Sequence, residues 1–413
     1  MLSSIEIIDQ AQSINGSTLS ALPPDPFPQP TLPFIISPSM ALSAALQEPL
    51  PATRLPAELD QILRATSRSI YLTLQVLPRP IRRQLMLGYL FCRAADTIAD
   101  TRALPQSRRL EMLALYRHQF EADRPEPAGI QDISRLVETA PAAEAAGFSA
   151  AEGALLSRLA DCFRVYGDLT DGDRALLRQL LTTLTQGMEM DLTTFPSEEA
   201  ARVDGALVAL ESEPDLDRYC YYVAGCVGEF WTELQVAHLS ELGDLDHKEM
   251  LQLGVRFGKG LQMTNVLRDV PADLRLGRCY IPQTCLAAHG LDPADLLRAA
   301  DSGLSGVDDT ALVGLRGILD DLLTVTLDHL HCGLRYTCAI PRSCPRLRLA
   351  CVWPLVIGLE TLRALRRRPD ELFAGARLKV SRRRVYSLVL GSSCRVLSNS
   401  ALGRYYQRLA AEV

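Results

Sequence analysis

From about residue 58 onward, apolar residues recur at spacings of three and four, and almost no stretch alternates with the period of two that a half-buried strand requires. The pattern predicts helices over 58–76, closed by Pro78 and Pro80, and then over 81–101 and 106–120. A further helix is expected over 171–195, opened by Thr170-Asp171-Gly172-Asp173 and closed by Pro196. Helical spacing returns at 217–228, 246–274, 306–336 and 343–368. Residues 121–148 contain Pro, Ala and Gly and read as a long loop or short helical fragments. The expected fold class is all-α. A single domain over 53–413 is expected, with a basic segment over 373–413 that carries Lys379 and Arg382-Arg383-Arg384.

Residues 1–52 break this pattern. They are rich in Pro, Ser and Ala, contain no Lys or Arg, and include Pro23-Pro24-Asp25-Pro26, which forbids a continuous helix. The segment reads as a mobile extension, or as an over-called start with Met40 as the initiator. Without basic residues it is neither a secretory signal nor an arginine-rich transit peptide.

Composition narrows the functional classes. A net charge of -6 gives no general argument for nucleic acid. The 11 cysteines show neither a CxxC pair nor zinc spacing, so reduced thiols in a cytoplasm are the default. Neither a Walker loop nor a GxGxxG fingerprint occurs. The most apolar run, 349–359, is about half the roughly 20 residues needed to span a bilayer.

The chemistry concentrates in two stretches. Asn265, Asp269 and Asp273 recur every fourth position, which places all three on one face of a helix. Asp96 and Asp100 repeat that spacing inside the otherwise apolar 85–99. Solvated acids do not sit in so apolar a run, and convergent carboxylates suit a hard divalent cation that shares its shell with phosphate oxygens. Arg93 and Arg268 accompany the two motifs and could grip a diphosphate bidentately. Arg278 lies in a basic loop able to close over phosphate, and Ser67-Arg68-Ser69 could donate to phosphate oxygens. Gly187, inside a helix, implies either a close helix crossing or room for a substrate tail. Tyr219, in an aromatic and glycine-bearing helix, is a candidate for steering a proton.

Together, Ser67-Arg68-Ser69, the run from Tyr89 to Asp100, Tyr219-Cys220-Tyr221-Tyr222-Val223-Ala224-Gly225 and Asn265-Val266-Leu267-Arg268-Asp269 resemble the squalene/phytoene synthase family over roughly 57–384. The resemblance implies the isoprenoid-synthase helical bundle with a central apolar cavity. It implies metal-facing roles for Asp96, Asp100, Asn265, Asp269 and Asp273, with Mg2+ or Mn2+ as the cation. Catalytic roles fall to Tyr219, Arg93 and Arg268, and substrate contacts to Ser67, Arg68, Ser69, Tyr89, Arg93, Gln262, Arg268 and Arg278. NADPH is expected at Lys379 and Arg382, with Arg68, Arg93 and Arg268 also facing cofactors. Two positions depart from the eukaryotic squalene-synthase motifs, Ala99 and Ala272 standing where an acid precedes the last aspartate. Pro271 is expected to kink the second motif helix, which weakens the case for Asp273.

The expected reaction is head-to-head condensation of two farnesyl diphosphates to presqualene diphosphate, followed by NADPH-dependent reduction to squalene. A phytoene-type synthase, or one that stops at presqualene diphosphate, is the alternative within the family. A non-catalytic helical lipid-binding protein is the alternative of a different class. The expected setting is cytoplasmic, with peripheral contact at the cytoplasmic face of a membrane.

Overall fold

The computed structural model describes residues 55–102, 104–121, 125–139, 148–303, 307–369 and 380–413. The expected mobile extension over 1–52 therefore lies outside the described residues, as does Lys379.

The first half of the chain forms α1 (Ala57–Val76), α2 (Arg79–Asp100), α3 (Gln106–Glu121), α4 (Pro127–Thr139), α5 (Ala150–Ser157), α6 (Leu159–Gly167), α7 (Asp171–Thr194) and α8 (Glu198–Asp204). Leu77, which precedes Pro78, turns to ψ 152° and ends α1, while Pro80 falls in the first turn of α2, where its missing N–H costs nothing. The Thr170 side chain accepts from the Asp173 amide at 3.1 Å and caps α7 as its sequence predicts. Helices α5 and α6 were not expected from the pattern. Neither exceeds nine residues, too few turns to develop a clear apolar stripe.

The second half contains α9 (Glu213–Cys220), a π-helical turn (Tyr221–Gly225), α10 (Cys226–His238), α11 (His247–Arg275), α12 (Gln283–Ala288), α13 (Pro293–Ser302), α14 (Asp309–Ala339), α15 (Pro345–Arg367), α16 (Arg382–Ser393) and α17 (Asn399–Ala410). Strands β1 (Val208–Ala209) and β2 (Arg278–Cys279) pair in parallel and tether the loop after α11 to the segment after α8. Helix α11 is the axis of this half, packed on α14, on α10 and the π turn, and on α15. It runs through Pro271 as one helix to Arg275.

Three glycines set how closely these helices approach. A Cβ on Gly228 would lie 2.0 Å from the Gly254 carbonyl oxygen, and one on Gly258 would lie 2.2 Å from that of Ala224. On α7, a Cβ on Gly187 would meet the Tyr222 Cβ at 2.7 Å and Val223 Cγ1 at 3.1 Å. That decides between the two expectations for Gly187: it serves a close crossing. The basic C-terminal segment also proves to be part of the core, since Val385, Leu388, Leu402 and Leu409 are buried and Arg384 donates to the buried Glu360 at 2.7 Å.

Candidate active site

Helix α2 carries the first acidic motif on a face that is buried almost to its end. Arg93 and Asp96 are 8% and 4% exposed, whereas Asp100, in the last turn, is exposed. The Arg93 guanidinium lies 3.9 Å from Asp96, donates to the Tyr89 hydroxyl at 3.3 Å, and reaches Glu152 of α5 at 3.5 Å. Tyr89 in turn donates to the Thr66 carbonyl of α1 at 3.0 Å. Helix α1 is thereby tied to α2 beside the Ser67-Arg68-Ser69 stretch. The Ser67 hydroxyl donates back to the Leu63 carbonyl of its own helix, and the side chains of Arg68 and Ser69 lie outside what the structure describes.

Helix α11 carries the second motif. Asn265 is 2% exposed, and its Oδ1 is buried without a hydrogen-bond partner among the described residues. Its Nδ2 donates to Gln262 Oε1 at 3.4 Å, and Gln262 Nε2 donates to the Tyr219 hydroxyl, also at 3.4 Å. Gln262, Asn265 and Tyr219, all candidates from the sequence, thus lie in one hydrogen-bonded row. Arg268 grips the carboxylate of its neighbour Asp269 with two hydrogen bonds, one of them at 2.9 Å from Nε. Burial, then Asp269, push the Asp273 carboxyl up to about 8, with Arg278 opposing and Asp191 adding to the rise.

Four side chains not singled out from the sequence, Arg109, Asp191, Glu198 and Tyr280, complete the polar end around Arg278. Arg278 does not reach out as the expected phosphate-closing residue. Its guanidinium is pinned between Asp191 of α7 at 2.8 Å and Glu198 of α8 at 3.1 Å. Arg109 of α3 takes the other side of Glu198 through bonds of 3.0 and 2.6 Å, and also donates to the Ala99 carbonyl at 3.0 Å, next to Asp100. Tyr280 donates to Asp191 and stacks on Tyr219, with ring centroids 4.5 Å apart at 26°. Asp191 carried a signal: an acid four residues after Gly187 and flanked by Met188 and Leu192 on an apolar helix face, a setting that demands a partner.

Burial alone would raise the Glu198 carboxyl, but the two Arg109 hydrogen bonds and the charges of Arg109 and Arg278 override it and hold the group at about 2. Because the folded value lies below the ordinary 4.5, this stabilisation is complete above pH 4.5 and is lost as pH falls towards 2. Glu198→Gln is therefore expected to lower stability near pH 7 by an amount on the order of 2–3 kcal/mol. In urea melts the gap to the parent chain should close between about pH 4.5 and pH 2. A gap independent of pH over that range would refute the assignment.

Behind the polar end lies an apolar cavity of about 190 Å3, walled by α2, the π turn, α10, α11, α14 and α15. Tyr89 and Cys92 line it one turn before Arg93 and Asp96, so its wall runs continuously into the first acidic motif. Engineered apolar cavities of roughly 150 Å3 stay dry and accept hydrocarbon rings, so a space of this character favours an oily occupant. The π turn adds a residue between Tyr219 and this wall, shifting the register of side chains along the segment.

Among the described residues, no group of three His, Cys, Asp or Glu side chains is gathered closely enough to hold a metal ion. Arg278 lies in the field of both motifs: the charge of Asp100 raises it, and it in turn opposes the rise of Asp273. Arg382 stands exposed in the first turn of α16. No helix among the described residues is long and apolar enough to cross a membrane.

The profile of the squalene/phytoene synthase family matches residues 63–384, most of the chain and all of this site. The chain belongs to the squalene/phytoene synthase family. It is 29% identical over 244 residues to a presqualene diphosphate synthase of Rhodopseudomonas palustris, covering 59% of this chain and 68% of that one. It is 26% identical over 310 residues to the squalene synthase of Schizosaccharomyces pombe, covering 75% of this chain and 59% of that one. The matches span about a third to two thirds of the lengths of such relatives. The structure of TcSQS in complex with the ligand E5700 superposes with a TM-score of 0.65 at 22% identity, over 86% of this chain and 92% of that one. The fold is thus the isoprenoid-synthase helical bundle. The family is of the prenyltransferase type and acts on substrates of the farnesyl diphosphate kind.

Proposed function

We propose that this chain condenses two farnesyl diphosphates head to head to presqualene diphosphate and then reduces that intermediate to squalene with NADPH. The observation that carries the first half is the continuity of the apolar cavity with Arg93 and Asp96 through Tyr89 and Cys92. Such a site holds an oil and a diphosphate at once. The second half is supported by the squalene synthase relative, whose match extends over more of this chain than that of the presqualene diphosphate synthase.

In this reading Arg93 and Arg268 bind diphosphate oxygens, for which a guanidinium fork is the matching donor. Departure of diphosphate from one substrate leaves an allylic cation, the double bond of the second attacks it, and loss of a proton closes the cyclopropane. The apolar wall keeps out water, which would trap the cation as an alcohol. Tyr219, which is buried and bonded to Gln262, handles the proton in this reading. Two features fit a divalent cation: the buried, unpartnered Oδ1 of Asn265 and the raised carboxyl of Asp273 among other acids, both of which positive charge would satisfy. Asp96, Asp100, Asn265, Asp269 and Asp273 would hold magnesium, which would neutralise the leaving diphosphate. NADPH would supply the hydride, and the exposed guanidinium of Arg382 would be a donor for its phosphate. Since the tails and the product are oils, the enzyme works as a peripheral protein at the cytoplasmic face of a membrane.

Incubation with farnesyl diphosphate and magnesium, with and without NADPH, tests the proposal by mass spectrometry of the lipids. Squalene only with NADPH, and presqualene diphosphate accumulating without it, is the expected result. Presqualene diphosphate under both conditions would leave the first half-reaction alone. Phytoene from geranylgeranyl diphosphate, with no response to NADPH, would replace the proposal by the phytoene-type reading.

A further inference from the structure

We propose that Asp191 is a positioning residue for Tyr219, acting through Tyr280: the buried carboxylate fixes the Tyr280 hydroxyl, and the Tyr280 ring holds the Tyr219 phenol in line with Gln262 and Asn265. The inference rests on the condensation proposed above. Asp191 is 2% exposed, and its two oxygens divide their partners, Oδ1 accepting from Tyr280 and Oδ2 from Arg278. An ionised carboxylate can only accept, so the Tyr280 proton is committed to Asp191 and the Tyr280 oxygen is left as an acceptor. The ring has no more freedom than the hydroxyl. One contact is the stack on Tyr219 at 4.5 Å, and another is Phe195, whose ring meets it edge-on at 5.0 Å and 73°.

On its other side Tyr219 accepts from Gln262, which accepts from Asn265. Directed hydrogen bonds thus run from the second acidic motif to Tyr219, and the ring stack carries the contact on to Tyr280 and Asp191. Within this arrangement the Tyr219 hydroxyl can donate only towards Tyr280 or into the site. A phenol so constrained meets the reacting carbon in one orientation, and misplacement of such a group by about 1 Å can cost on the order of a hundredfold in rate. Arg278 gives Asp191 a second task, because its ion pair also anchors β2 beside the end of α11.

The two tasks separate in kinetics. Tyr280→Phe keeps the ring stack and the Asp191–Arg278 pair but removes the hydroxyl, whereas Asp191→Asn offers one acceptor where two are used. Both variants are expected to lower kcat for presqualene diphosphate formation by about tenfold or more with KM for farnesyl diphosphate within about twofold. Farnesol, the water-trapped product, should rise at the same time, with helical circular dichroism unchanged. Parent-like kcat in Tyr280→Phe overturns the inference even if Asp191→Asn is inactive, since Asp191 would then act only as the anchor of Arg278. The parent chain assayed alongside distinguishes the two failures: if it too forms no condensation product from farnesyl diphosphate, the functional reading falls and this inference falls with it.

Discussion

Asp96→Asn and Asp269→Asn are each expected to lower kcat/KM for diphosphate release from farnesyl diphosphate by about a thousandfold or more, with the helical circular dichroism of the parent chain. Asparagine keeps the shape of aspartate and removes its charge. At Asp96 the charge sits 4% exposed beside Arg93, at the end of the apolar run from Leu85 to Cys92, so it is the buried carboxylate of the first motif. At Asp269 the substitution also halves the grip of Arg268, whose two donors each use a separate carboxylate oxygen, one of which becomes an NH2 donor in asparagine. Both effects act where leaving-group charge develops, in a site screened from water, and charge is worth most there. Release of diphosphate at the parent rate by either purified variant would remove that residue from the site. Loss of activity accompanied by loss of helix would instead show a structural role.

A second large effect is expected far from any charge. Gly228→Ala and Gly258→Ala should each destabilise the fold by about 3 kcal/mol or more, or prevent soluble expression. The added methyl would stand 2.0 or 2.2 Å from a backbone carbonyl oxygen of the facing helix, and a backbone atom cannot rotate away as a side chain can. The segment from the π turn through α10 would have to separate from α11, opening the wall of the apolar cavity, which both glycines line. Gly403→Ala is the control. It lies within α17 with nothing inside 4 Å of its added Cβ, and alanine there should gain up to about 1 kcal/mol. Thermal melts of the three variants decide the matter, and a Gly258→Ala protein as stable as Gly403→Ala would refute the close crossing.

The sequence by itself determined the helical class, the ends of α1, α2, α7 and α11, and the two acidic motifs with their arginines. These properties are local: a helix repeats every 3.6 residues, and a proline or capping threonine acts within a turn of itself. The order of four motifs carried the family in the same way. Only the tertiary structure decided which charges meet. Arg278 looked like a phosphate-closing residue because nothing in its own loop neutralises it, and its partners Asp191 and Glu198 come from α7 and α8, about 80 residues earlier. Gly187 was compatible with two roles until Tyr222 came to lie against it. Tyr280 and Asp191 gained meaning only when folding stacked one phenol on another and buried the carboxylate that holds it. A pairing energy depends on separation in space and on the water excluded between partners, and spacing along a chain specifies neither once the partners lie on different helices.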